Sequence, residues 1–132
     1  MNYSSELRAY ELKATPQRLE ITAILSSAGH INIDELYFRM QKKFSQISLA
    51  TIYKNINIML QKRFIVEVKV PDSKNFYELV KEAHSHLLCL SCKEITDIKI
   101  ECKSSIENSL KGHNFKIKSN SVVITGYCEK CH

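Results

Sequence analysis

The sequence predicts an α+β fold of two domains: an N-terminal winged helix-turn-helix over residues 1–80 and a C-terminal α+β domain over residues 84–132. Two observations carry this prediction. Apolar residues recur with a helical period as far as residue 61 and then alternate as in a strand. Two C-x-x-C pairs lie beyond residue 88, in a segment of about 50 residues, a size that needs a staple or oligomerisation to be stable.

Two helices open the first domain. The first begins at Thr15, which can cap it, with Pro16 at the first helical position and Gly29 at its end. The second begins at Asn32, with Glu35 three residues later in a capping-box pattern. The inward positions are Ile21, Ile24, Leu25 and Ala28 in the first helix, and Ile33, Leu36, Tyr37, Met40 and Phe44 in the second.

A third helix is predicted from Ser48 to Gln61. Its inner face is expected to carry Leu49, Ile52, Ile56, Met59 and Leu60, and its outer face Thr51, Lys54, Asn55 and Gln61. A hairpin follows, in which Phe64, Val66, Val68 and Val70 alternate with Ile65, Glu67 and Lys69 before a turn at residues 71–75 and a return strand at 76–80. This order of elements is that of a winged helix-turn-helix, with the third helix placed for a DNA major groove.

The polar segment 81–83 separates this domain from a second one. The elements predicted there are strands at His84–Leu90, Ile95–Ile100, Phe115–Lys118 and Val122–Tyr127, and a helix at Ser104–Lys111 ended by Gly112.

Composition favours a globular protein with a modest positive charge. A chain of 132 residues with 44% hydrophobic content can bury a core. It has no apolar run near the roughly 18 residues of a membrane span and no signal-peptide layout, so we expect a soluble, cytoplasmic protein with no membrane partner. The net charge of +5 divides into +3 for residues 1–80 and +2 for residues 81–132, which permits a polyanionic partner but is weak evidence for one.

The cysteines predict a structural metal site. Cys89 and Cys92 form one C-x-x-C pair and Cys128 and Cys131 the other, with 35 residues between the pairs. Four thiolates complete a tetrahedral zinc site with no open position, so the zinc is expected to be structural and the protein not an enzyme. The alternative is that one pair is a redox dithiol and the other incidental. Cys102 stands apart and is interpreted as a half-buried, unreactive thiol.

A second, chemically different metal site is predicted around a histidine pair. His84 and His86 are two apart on a predicted strand and therefore share a face, whereas Cys89 has the opposite parity. The alternative is a pair of exposed histidines beside a linker. Further candidate ligands are His30, Glu78 and Asp97. Imidazole and carboxylate ligands without a thiol suit Fe(II) or Mn(II).

Four motifs occur in the order and spacing of a known protein family. They are Thr15-Pro16-Gln17-Arg18, Ala50-Thr51-Ile52-Tyr53, His84-Ser85-His86-Leu87-Leu88-Cys89-Leu90-Ser91-Cys92 and Cys128-Glu129-Lys130-Cys131. Through them the chain resembles the ferric uptake regulator (Fur) family over nearly its whole length. The resemblance implies a hinge at residues 81–83 and a C-terminal dimerisation domain. It also implies zinc at Cys89, Cys92, Cys128 and Cys131 and a regulatory metal at His30, Glu78, His84, His86 and Asp97.

Within that family the chain looks most like the peroxide-stress repressor branch. Iron-responsive relatives often carry a further metal site, and the matching positions here are Ala83, Ser85 and Asn120, which are poor ligands. Asp97 stands where the peroxide branch has aspartate. Glu78, in contrast, stands where typical peroxide sensors have aspartate.

The resemblance implies a homodimeric repressor that binds an inverted-repeat DNA operator when Fe(II) or Mn(II) is bound, and leaves it when peroxide oxidises His30 or His84. Lys13 and Arg18 are expected to contact phosphates. The expected contacts of the recognition helix are Ser48, Thr51, Tyr53, Lys54 and Asn55. The alternatives are an iron-responsive repressor of iron-uptake genes, an enzyme using one C-x-x-C pair, and a zinc-ribbon interaction module that does not bind DNA.

Overall fold

The computed structural model describes residues 2–81, 84–100, 103–117, 120 and 122–132. The chain divides into two compact units, residues 1–81 and residues 82–132. Within the described ranges, no helix is both long enough and apolar enough to cross a membrane.

Four helices build the first unit: α1 at Tyr3–Ala9, α2 at Pro16–Ala28, α3 at Ile33–Lys43 and α4 at Leu49–Gln61. The two predicted caps, Thr15 and Asn32, are confirmed, and Ser48 caps α4 in the same way. The side chains of Thr15, Asn32 and Ser48 each accept a hydrogen bond from the backbone N–H three residues later. Gly29 ends α2 with a φ of 77°, a conformation that glycine adopts without steric cost.

Helix α1 was not predicted from the sequence. It is seven residues long and is capped by the side chain of Asn2, which accepts a hydrogen bond from the backbone of Ser5. Leu7 is its one fully buried residue. A helix this short shows too few turns for a periodic pattern, and its stability comes from packing against α2.

A three-stranded antiparallel sheet completes the first unit, with β1 at Ile31–Asn32, β2 at Ile65–Val68 and β3 at Phe76–Leu79 in the order β1-β3-β2. The short β1 was not predicted, and the burial pattern predicted for β2 is partly wrong. Ile65 is buried and Val66 is exposed, since the strand buries its two end residues and exposes the two between them instead of alternating. Val68 and Val70 are buried as predicted.

The core of the first unit joins all four helices to the sheet. Its fully buried members include Leu7, Ile21, Leu25, Leu36, Met40, Ile52, Ile56, Met59 and Ile65. Tyr37 and Phe44 pack against this core while remaining partly exposed. Two predictions for α4 are wrong: Leu49 is exposed in the first turn of the helix, whereas Asn55 is buried.

The second unit has a three-stranded sheet of its own. Its elements are β4 at Ser85–Cys89, β5 at Ile95–Ile98, α5 at Lys103–Ser109, β6 at Val123–Gly126 and a 3-10 turn at Glu129–Cys131. The central strand β4 pairs antiparallel with β5 and parallel with β6. The strand predicted at Phe115–Lys118 is not formed by residues 115–117. The Phe115 N–H instead bonds the nearby His113 carbonyl, and its ring is 72% exposed. Cys102, Ala83 and Lys118 lie outside the described residues.

Candidate metal centres and recognition helix

The four cysteines of the two C-x-x-C pairs lie together at one end of the second sheet. Cys89 ends β4, and the tight turn after it brings Cys92 back, so that the Cys92 N–H lies 3.5 Å from the Cys89 sulfur. Parallel pairing of β4 with β6 places Cys89 opposite Gly126. The chain leaving β6 therefore delivers Cys128 to the same place, with its N–H 3.4 Å from the Cys89 sulfur.

The spacing of the sulfur atoms fits a tetrahedral metal ion. One Sγ from each of Cys89, Cys92, Cys128 and Cys131 lies within 4.8 Å of all the others. The Sγ atoms of Cys92 and Cys128 are 3.8 Å apart. A regular tetrahedron with zinc–sulfur bonds of about 2.3 Å has edges of about 3.8 Å. The thiol ligands and the distances between their sulfur atoms therefore both match zinc. Four protein ligands leave no coordination position for a substrate.

The thiols of this cluster differ in acidity. Backbone N–H donors from Cys128 and then from Cys92 stabilise the Cys89 thiolate, lowering its pKa from 9.0 to about 6. The pKa of Cys128 is raised, chiefly by its hydrogen bond with the Cys131 thiol. Cys89 therefore becomes a thiolate, the form that binds metals, at lower pH than Cys128.

The first unit brings together two of the predicted regulatory ligands. His30 follows the glycine that ends α2, and Glu78 lies in the central strand β3. The Nε2 atom of His30 is 2.8 Å from Oε2 of Glu78. Glu78 is 1% exposed. An acidic side chain this deeply buried needs a partner of opposite or complementary charge, and the imidazole provides one.

The second unit brings together the other three predicted ligands. His84 and His86 share a face, as predicted, with ring centroids 4.6 Å apart. The register of β4 and β5 pairs His86 with Asp97. The Oδ1 atom of Asp97 is 3.5 Å from Nε2 of His86 and 3.8 Å from Nε2 of His84. Two imidazoles and a carboxylate thus lie close together, and among the described residues no thiol joins them.

The predicted DNA contacts divide into exposed and buried side chains. Lys13, Ser48, Tyr53 and Lys54 are exposed, and Thr51 is partly exposed beside the Ser48 cap. Asn55 does not fit the prediction, because it is only 7% exposed and lies on the inner face of α4. The pattern of α4 contained this signal: Asn55 stands three residues after Ile52 and four before the buried Met59, within the apolar stripe.

The family model for the Ferric uptake regulator family matches residues 9–125. The chain belongs to this family. A Fur-family chain is a metal-responsive transcriptional regulator, and both its iron and its peroxide branches are represented among the relatives of this one.

Relatives from both branches cover almost the whole Fur-family chain. A "Peroxide-responsive repressor PerR" of Staphylococcus epidermidis is 30% identical over 130 residues, 96% of this chain and 86% of that protein. The Campylobacter jejuni peroxide stress regulator is 36% identical, with a TM-score of 0.77 over 99% of this chain and 100% of that one. The Vibrio cholerae ferric uptake regulator is 25% identical, with a TM-score of 0.81 over 96% of this chain and 100% of that one.

Iron-responsive relatives often carry a further metal site, and the residues at the matching positions of this chain are weak ligands. Ser85 is buried at 7% exposure, whereas Asn120 is exposed. Neither a hydroxyl nor an amide supplies the anionic or imidazole donor that a transition metal prefers. In the described part of the second unit, the candidate metal ligands are therefore the cysteine cluster and the histidine–aspartate group.

Proposed function

We propose that this chain is a metal-dependent transcriptional repressor that binds inverted-repeat operators as a homodimer and is released by peroxide. The observation that carries the proposal is the separation of two donor sets: one made only of thiols, the other of imidazoles and carboxylates. Soft and hard donors select different metals, so the two sets suit two tasks.

In this proposal the four-thiol set holds structural zinc. Cys89, Cys92, Cys128 and Cys131 would be its ligands, and their spacing supports this assignment. The ion would join the end of β4 to the chain after β6. Because all four positions are filled by protein, zinc here stabilises the fold and takes no part in chemistry.

The regulatory ion, Fe(II) or Mn(II), would be held by residues of both units. The proposed ligands are His30 and Glu78 from the first unit and His84, His86 and Asp97 from the second. An ion bound by both units favours one arrangement of them over others. If that arrangement also fits DNA, metal affinity and operator affinity are coupled and each raises the other.

For the DNA step, we assign residues 1–80 to operator binding, 81–83 to a hinge and 84–132 to dimerisation and metal binding. Helix α4 would enter the major groove, with the exposed Tyr53 and Lys54 contacting bases. Exposed apolar side chains in the second unit, among them Phe115, Ile124 and Tyr127, support a protein–protein interface there. An operator-binding role would put the protein in the cytoplasm, in the same compartment as the DNA.

For the signal, we propose hydrogen peroxide, in line with the peroxide-responsive relatives. Fe(II) held by the proposed ligands would supply the one-electron chemistry that cleaves hydrogen peroxide. Overall, one peroxide molecule would deliver one oxygen atom to the imidazole of His30 or His84 and leave as water, and an oxidised imidazole is a poor ligand. A chain oxidised in this way no longer favours the DNA-binding arrangement. Glu78, which stands where typical peroxide sensors have aspartate, leaves the iron-responsive repressor as the second candidate.

The deciding experiment compares operator binding with Fe(II), Mn(II) and Zn(II), before and after peroxide, by gel shift and mass spectrometry. We expect the Fe(II) form to gain one oxygen at a histidine and to lose DNA, and the Mn(II) form to keep DNA. His84→Ala should abolish metal-dependent binding, whereas His113→Ala, an exposed histidine outside both donor sets, should not. Retained binding without histidine oxidation supports the iron-responsive candidate, and no binding with any metal supports the zinc-ribbon module.

Lys54 provides a separate test of the groove assignment. Lys54→Ala should weaken operator binding by about 1–3 kcal/mol and relax the base preference at one position. Lys111→Ala, an exposed lysine of the second unit, is the matched control and should bind normally. Unchanged affinity and specificity in the Lys54 variant would show that α4 does not read the groove in this way.

A further inference from the structure

We infer that Arg18 and Asn55 act as positioning residues for the recognition helix α4 and do not contact DNA themselves. This inference rests on the DNA-binding function proposed above. It assigns both residues a different role from the direct contacts that the sequence predicted.

The amide of Asn55 is engaged at both ends inside the protein. Its Nδ2 atom donates to the backbone carbonyl of Thr51 at 3.0 Å, one turn earlier in α4. Its Oδ1 atom accepts from Nε of Arg18 at 3.1 Å. Each end of the amide keeps one further hydrogen or lone pair, but at 7% exposure the side chain is too deeply packed for a base edge to reach it.

Arg18 connects α4 to the start of α2. Besides donating to Asn55 through Nε, its guanidinium donates through Nη1 to the backbone carbonyl of Lys13 at 3.2 Å. Its own carbonyl accepts from the Thr22 hydroxyl at 2.8 Å, within α2. The side chain thus connects the segment before α2 to the middle of α4, while the backbone of Arg18 is part of α2.

The chain of hydrogen bonds continues to the groove-facing end of α4. Thr51 donates its backbone N–H to the Ser48 side chain at 3.1 Å, and the two hydroxyls lie 2.9 Å apart. Lys13, Arg18, Asn55, Thr51 and Ser48 therefore form one continuous series. The two members at its end are expected DNA contacts, so a change at Asn55 would reach them through the backbone of Thr51.

The chemistry of the link explains why it restricts the position of α4. A hydrogen bond from a charged donor is roughly twice as strong as one between neutral groups. The guanidinium is planar, so its Nε and Nη1 donors have a fixed relative direction. A lysine at position 18 keeps the positive charge but cannot reproduce both bonds. This difference separates a positioning role from a phosphate contact, for which charge alone suffices.

The test uses a DNA duplex selected from a random-sequence pool by the Mn(II)-loaded wild-type chain, together with a scrambled duplex of equal length. Affinity for both is measured over a range of salt concentrations, along with the thermal unfolding midpoint. The variants are Asn55→Ala, Arg18→Lys, Arg18→Ala and the double variant Asn55→Ala/Arg18→Lys. Lys13→Ala is the control, because it removes an exposed charge while its backbone carbonyl still accepts from Arg18.

We expect Asn55→Ala and Arg18→Lys each to lose about tenfold in affinity for the selected duplex and little for the scrambled one. The double variant should lose no more than the weaker-binding single variant, because both break the same link. The slope of log affinity against log salt concentration should be unchanged in these variants. Lys13→Ala, which removes an expected phosphate contact, should lower that slope by about 0.9.

Several results would overturn the inference. One is an Asn55→Ala variant that binds the selected duplex with wild-type affinity. Another is the behaviour of a phosphate contact: Arg18→Lys binds normally, and Arg18→Ala lowers the slope of log affinity against log salt concentration by about 0.9. Equal losses on both duplexes would show a general loss of fold. If Asn55→Ala does not fold, Arg18→Lys decides alone. A wild-type chain that selects no duplex refutes the proposed function and this inference together, so the two failures are distinguishable.

Discussion

Removing the metal from the four-cysteine cluster should unfold the second unit and leave the first unit folded. In the described part of the second unit, the buried apolar side chains are Leu88 and Cys89. Burying one leucine contributes about 2 kcal/mol, whereas structural zinc contributes about 10–16 kcal/mol in small zinc peptides. The metal is therefore the larger contribution by several fold, and the second unit cannot replace it from its own core.

The first unit does not depend on this contribution. Its core cluster contains sixteen buried residues, and none of them lies beyond Tyr77. Loss of the metal should therefore change the stability of the first unit only slightly. The helices of that unit should keep their protection against amide hydrogen exchange.

Hydrogen exchange with mass spectrometry can resolve the two units in one sample. The reduced chain is compared with and without zinc, together with Cys128→Ser and the control Ser91→Ala, which changes an exposed residue between two ligands. We expect strands β4, β5 and β6 to lose protection in the metal-free and Cys128→Ser proteins while α2 and α4 keep it. Full protection of β4 and β6 in metal-free, reduced protein would refute the argument that zinc stabilises this unit.

Three further predictions follow from single residues. Leu36→Ala should cost about 2–5 kcal/mol in urea unfolding, because Leu36 is fully buried, whereas Phe38→Ala at an exposed position should cost far less. Asn32→Ala should lower stability by about 1 kcal/mol through loss of the α3 cap, measured by the same unfolding curves. In metal-free, reduced protein, where strands β4 and β6 are expected to unfold, the backbone donors that lower the pKa of Cys89 to about 6 are lost, so Cys89 and Cys128 should be alkylated with the same pH profile. Alkylation of Cys89 at clearly lower pH than Cys128 would show that the folded turn persists without the metal.

Two errors of the sequence-based prediction show where local patterns lose information. Asn55 was placed on the outer face of α4 because it is polar, although its spacing from Ile52 and Met59 puts it on the buried face. Polarity was a poor guide here because Arg18, 37 residues away, supplies a buried partner. The alternation predicted across β2 fails at Ile65 and Val66, where the strand buries its two end residues and exposes the two between them.

The sequence alone was sufficient for several features that depend on neighbours within about one helical turn. The caps at Thr15 and Asn32, the end of α2 at Gly29, the shared face of the histidine pair and the two C-x-x-C turns all follow from short-range geometry. Tertiary structure decided which distant groups meet. The parallel pairing of β4 with β6 brings Cys128 to Cys89, and the packing of α2 near α4 gives Asn55 its partner. Burial and long-range pairing depend on the surfaces that pack together, and a local pattern of residue types does not contain that information.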